Sequence, residues 1–116
     1  MRRFFVVAAL LCSVASAFAA DPVGAYRVEG TNPGSGSKYS GTVTIEKTDQ
    51  TYRVTWVVGA SRYVGTAIGD KNFLAVSYRS GNETGLALYG EDGGNWAGIW
   101  TKAGGTTMGS EIWKRQ

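Results

Sequence analysis

The sequence predicts an all-β domain: eight short antiparallel strands in an up-and-down meander that closes into a small barrel, with a β-sandwich as the alternative. Three observations carry this. Apolar and polar residues alternate with a period of two in stretch after stretch, the pattern of strands with one buried face. Glycine, at 17 residues, recurs at intervals rather than in one block, and with Asn, Asp, Pro and Ser it punctuates the chain at hairpin-length spacing. Val, Thr, Tyr and Trp fill the stretches between, and helix-favouring runs are scarce.

Before the first strand, residues 1–19 read as a secretory signal peptide. Met1-Arg2-Arg3 is basic, Phe4 to Val14 is almost wholly apolar, and Ala17-Phe18-Ala19 supplies small residues ahead of a cut before Ala20. The apolar run falls short of the ~20 residues that span a bilayer, so no membrane anchor is expected after cleavage. Leu11 stands where a lipid-anchored Cys12 would want a small residue. Residues 20–116 then form one domain, expected in the periplasm or secreted. It has neither Cys nor His, so disulfides are absent although that compartment permits them. Losing Arg2 and Arg3 lowers the net charge from +3 to +1. No run of Lys and Arg remains, which argues against nucleic acid as a partner.

Gly24 to Thr31 is the first strand, with Tyr26 and Val28 on one face and Arg27 and Glu29 on the other. Asn32-Pro33-Gly34-Ser35-Gly36-Ser37 is dense in turn formers and is the longest loop. The clearest unit follows. Tyr39, Gly41, Val43 and Ile45 alternate with polar residues, Thr48-Asp49-Gln50 turns, and Tyr52, Val54, Trp56 and Val58 restart the alternation. This is a hairpin with one buried face. After Gly59-Ala60-Ser61, Arg62 to Gly69 is the fourth strand, and its Tyr63-Val64-Gly65-Thr66 echoes Tyr39-Ser40-Gly41-Thr42. Phe73 to Tyr78 is the fifth, apolar at both phases, so its inward face is not set by the pattern. Gly85 to Tyr89 is the sixth, Asn95 to Thr101 the seventh, and Thr106 to Lys114 the last.

Eight strands joined by short links favour a meander. A flat sheet would leave two open edges, and closure removes them. The outward residues Arg27, Glu29, Thr42, Thr44, Glu46, Arg53 and Thr55 suit water rather than the lipid-facing wall of an outer-membrane barrel. The aromatic–glycine echo has a packing reason, since small barrels alternate large and small inward residues.

Without His or Cys, neither a Ser-His-Asp nor a Cys-His site can be built, and the usual zinc sites are excluded. No cofactor is implied. Glu91 and Asp92 are the one adjacent carboxylate pair that invites a hydrolase reading, yet they sit in a Gly-rich turn and read as solvated charge. The same segment to Asn95 lacks the ligand order of a calcium loop. The Asn32–Ser37 loop lacks the following helix of a phosphate cradle. The chain is therefore expected not to be an enzyme.

The aromatics are the best functional material. Tyr39, Trp56, Tyr63, Trp96 and Trp100 are the candidate ligand-binding residues, all in phase with the inward face; Tyr26 and Tyr52 share that face. Tyr and Trp bring flat apolar area and one polar tip, which suits small-ligand pockets. They suit a solid core equally well, and the inward Gly41, Gly65, Ala67 and Gly98 either leave space for a ligand or make room for the rings.

The segments Tyr26–Pro33, Tyr39–Val43, Tyr52–Trp56, Leu74–Tyr78 and Trp96–Trp100 resemble a group of small secreted bacterial proteins of uncharacterised role, often labelled fibronectin-binding. That resemblance spans nearly all of the chain after the signal peptide and implies, as one reading, an adhesin for fibronectin or another extracellular matrix protein. The architecture also resembles avidins and lipocalins, eight-stranded barrels that hold ligands. The leading expectation is an exported, non-enzymatic barrel that binds a small apolar or aromatic molecule or a partner protein.

Overall fold

A computed structural model of the chain describes residues 21–116; the expected signal peptide and its cut before Ala20 lie outside them. Eight strands follow in order: β1 Gly24–Thr31, β2 Lys38–Thr48, β3 Thr51–Val58, β4 Ser61–Gly69, β5 Phe73–Ser80, β6 Glu83–Asp92, β7 Asn95–Lys102 and β8 Gly109–Arg115. Each pairs antiparallel with the next, and β1 pairs with β8, from Tyr26 opposite Arg115 to Thr31 opposite Ser110. The result is a closed up-and-down barrel, not a sandwich. Because each strand is paired on both sides, no open strand edge remains among the described residues.

The hairpin that reads most clearly in the sequence keeps its register: Val43 faces Trp56 and Ile45 faces Val54 across β2 and β3. Asp49 takes a positive φ of 60° in the turn between them, a conformation Asp and Asn tolerate better than most residues. For β5 the inward set is Leu74, Val76 and Tyr78, all buried, whereas Phe73 stays exposed.

The glycines of the inward face have a specific use. Gly30 lies opposite Tyr39, Gly85 opposite Tyr78, Gly98 opposite Tyr89 and Gly109 opposite Trp100. A Cβ on any of these four would run into the ring across from it. Each glycine therefore seats one large ring flat against the neighbouring strand, the large/small exchange a narrow barrel requires.

The outer wall is two-sided. Around β1–β3 it carries the charged and hydroxyl residues expected from the sequence, including an Arg27–Glu29 ion pair at 3.8 Å and a Lys114–Glu29 pair at 3.8 Å. Around β4–β7 it carries exposed apolar side chains, with Ile68, Leu86 and Leu88 exposed by 60%, 57% and 52%. The polar outer face expected from the first three strands does not extend round the barrel.

The two ends also differ. At the base, Pro22 is fully buried and its carbonyl accepts the Tyr26 hydroxyl at 2.6 Å. Arg115 reaches across the base. Its guanidinium sits 4.7 Å from the Tyr26 ring centre and donates to the carbonyls of Gly94, Val23 and Asp21 at 3.1–3.2 Å. Above this plug lies a packed core of Val28, Val43, Ile45, Val54, Leu74 and Trp113. The opposite end, where the loops after β1, β3, β5 and β7 gather, is open.

Candidate functional site

Residues rise along a strand by ~3.4 Å each and every second one points inward, so inward positions four apart stand about two layers apart. This separates the sequence candidates. Tyr39, Trp56, Tyr63 and Trp100 belong to the upper layers and line a cavity of about 270 Å³ that opens at the mouth. Trp96 does not. It lies four residues below Trp100 on β7, opposite Trp113, and is 1% exposed. Its alternation predicts an inward ring correctly but not the height of that ring in the barrel, so Trp96 belongs to the core beneath the cavity.

Three further aromatics join the site. Tyr78 and Tyr89 line the cavity, and Trp113 supports it from below. The upper rings form a belt in which neighbours meet edge to face. Tyr39 and Trp100 are 6.2 Å apart at 75°, Trp100 and Tyr78 6.1 Å at 72°, Tyr78 and Tyr63 6.1 Å at 79°, and Tyr78 and Trp56 6.0 Å at 65°. Such contacts lock the rings, since the positive edge of one meets the negative face of the next. The belt is a preformed wall. At the rim, Lys102 and Glu83 pair at 3.2 Å across β6 and β7, and Asn32 and Val58 complete the lip.

At the floor of the cavity lies the residue that sequence reasoning missed. Glu111 on β8 is 6% exposed and is the one buried charged side chain among the described residues. Four donors converge on it. Trp56 Nε1 donates to Oε1 at 3.1 Å, Trp113 Nε1 at 2.9 Å and the Tyr89 hydroxyl at 2.7 Å. The Tyr39 hydroxyl donates to Oε2 at 2.5 Å. An indole N–H can only donate and both indoles go to Oε1, so that oxygen is an acceptor; hydrogen bonds to an ionised acceptor are the stronger kind. A signal for Glu111 exists: Gly109, Glu111 and Trp113 alternate in phase. It is masked because Met108 and Ile112 make the opposite phase look apolar.

The carboxylate leaves its mark on its neighbours. Burial, and after it the negative charge of Glu111, raises the pKa of Tyr39 and of Tyr89 well above the ordinary tyrosine value. Burial, followed by the charge of Glu83, pushes Tyr78 up to about 12. All three are neutral phenols at physiological pH, available as hydrogen-bond donors.

The other chemical candidates lie at a strand end and in a loop. Glu91 accepts the Gly94 N–H at 2.7 Å and so braces its own turn, while Asp92 is exposed. The Asn32–Ser37 loop closes on itself, with Asn32 Nδ2 donating to Ser37 Oγ at 3.0 Å and Gly36 N to the Asn32 carbonyl at 3.0 Å. No group of three or more carboxylates that could hold a metal ion occurs among the described residues.

No family model matches the chain and no curated protein matches it. Among solved structures it is similar to a redesigned beta barrel, with a TM-score of 0.69 at 15% identity over 88% of this chain and 95% of that one. At that identity the likeness supports the barrel fold and nothing finer.

Proposed function

We propose that this chain is an exported binding protein that holds a small aromatic or apolar molecule in the mouth of its barrel, without catalysing a reaction on it. The observation that carries this reading is the division of the interior. The lower half is a solid core, whereas the upper half keeps a cavity of about 270 Å³ walled by interlocked rings. That volume lies just below the usual ~300–1,000 Å³ of small-molecule sites, so the occupant is a compact molecule of one or two rings. Concavity, aromatic lining and a few converging polar tips are the ordinary marks of such a site. Export is supported by the basic, apolar and small-residue order of residues 1–19.

The adhesin reading keeps one route fewer. Strand addition to a sheet edge needs unpaired backbone, and each described strand is already paired with both its neighbours. Matrix binding would have to use the loops or the outer wall.

Titration of the protein with a panel of one- and two-ring compounds tests the proposal, followed by the indole N–H resonances in two-dimensional NMR. Saturable shifts at Trp56 and Trp100 with Trp96 unmoved are expected. An unresponsive mouth across the panel, together with ligand-free protein in native mass spectra from its own host, would overturn it.

A further inference from the structure

We infer that the ligand of this cavity is a small organic cation, an ammonium group carried on a compact apolar body. The inference deepens the binding reading above and rests on it. The first observation is a charge without a counter-charge. Glu111 is buried at the cavity floor, yet its four partners are two phenols and two indoles, all neutral donors. Each ion pair among the described residues involves Glu29 or Glu83 on the surface, and none reaches Glu111. Lys102, the cation at the rim, is held by Glu83.

The second observation is unused capacity. A carboxylate offers about four lone-pair sites. Oε1 already accepts three bonds and Oε2 accepts one, from Tyr39. Oε2 therefore has room for a donor arriving from the cavity that Glu111 borders. The third is the lining. The belt of Tyr39, Trp56, Tyr63, Tyr78 and Trp100 lines the same space as the carboxylate. Ring faces attract cations, most strongly where water is displaced. A formal negative charge inside a low-dielectric, ring-walled cup attracts a positive ligand and repels an anion of the same shape.

Three probes of one shape test this on the full domain: benzylammonium, benzyl alcohol and benzoate, titrated by calorimetry and by the indole N–H resonances. Benzylammonium is expected to bind about tenfold or more tightly than benzyl alcohol, with benzoate weakest. Glu111→Gln, which keeps a carbonyl acceptor but removes the charge, is expected to collapse the gap between the first two probes. If that variant does not fold, the wild-type series still decides. Benzyl alcohol or benzoate binding as well as benzylammonium would overturn the cation inference while leaving the binding reading intact. Failure of all three at millimolar concentration, with the wider panel also silent, would remove both.

Discussion

Glu111 shows how one residue organises a barrel interior. Its carboxylate ties β2, β3, β6 and its own strand together through Tyr39, Trp56, Tyr89 and Trp113. Removing the acceptor strands four donors. Glu111→Ala is therefore expected to lower unfolding free energy by about 3 kcal/mol or more, because orphaned buried donors bear their full desolvation cost. Glu111→Gln retains a carbonyl oxygen and is expected to lose about half as much. Urea denaturation followed by tryptophan fluorescence measures both, and equal losses would deny the carboxylate its structural role. The tyrosines add a pH dependence. Tyr39, Tyr78 and Tyr89 titrate above the unfolded value of 10.0, so above that pH the unfolded chain sheds protons first. Their contribution to stability is fully present below about pH 10 and is lost as pH rises through the folded values, near 12 for Tyr78. Near-ultraviolet absorbance during alkaline titration should show these phenols ionising late and together with unfolding; early, smooth ionisation of all six tyrosines would contradict it. The inward phase of Tyr39, Trp56, Tyr63, Trp96 and Trp100 is legible in the sequence, because an aromatic in phase with an apolar face points inward. The height of Trp96 below the cavity and the place of Glu111 at its floor are not legible, for related reasons. Alternation records the face and not the height, and it treats an inward acid as a break in the pattern.

At the scale of the element, the strands themselves are the most legible feature. Each of the eight is visible in the sequence, with ends that shift by a few residues at most, because the period of two and the turn formers agree. What alternation does not disclose is why so many inward positions are glycine. Reading a strand alone leaves two meanings open, empty space or room for a ring. The answer lies on the adjacent strand, in pairs such as Gly98 with Tyr89, and pairing register is a non-local property. This gives a matched test on β6 and β7. At Gly98 an added Cβ meets the Tyr89 ring and the Leu88 carbonyl; at Gly90 it meets nothing within 4 Å. Gly98→Ala is expected to cost about 1–3 kcal/mol, as overpacking does, and to move Tyr89 off Glu111. Gly90→Ala is expected to be neutral or to stabilise by about 0.5 kcal/mol through reduced chain entropy. Thermal unfolding of the two variants decides the matter, and similar losses would mean that strand glycine as such, rather than ring seating, sets the cost.

For the whole molecule, the decisive property is the difference between its ends. A barrel of eight strands is only just wide enough to be filled by its own side chains or to hold one small ligand. This one has a packed lower half and a cavity of about 270 Å³ in its upper half. Closure of the base depends on residues far apart in the chain: Pro22 and Tyr26 near the start of the described segment and Arg115 near its end. Arg115 spans the carbonyls of Asp21, Val23 and Gly94 with three different nitrogens while lying over Tyr26. A fork of donors in fixed geometry is what arginine supplies and lysine does not. Arg115→Ala is expected to cost about 1–2 kcal/mol, from a cation–π contact and partly exposed hydrogen bonds, and Arg115→Lys to recover only part of it. The sharper expectation is spatial. The substitution loosens the base, so amide exchange should quicken at Val23, which is held by Asp21, and at Gln116, which is held by the Ala25 carbonyl. The mouth is walled by its own ring contacts and anchored by Glu111, so the Trp56 and Trp100 indole resonances and the affinity for benzylammonium should stay as they were. Exchange that rises equally at both ends, or a loss of affinity in step with the loss of stability, would mean that plug and cup are one cooperative unit. A changed base with an unchanged cup would establish that the barrel keeps a rigid binding end independent of the end that closes it.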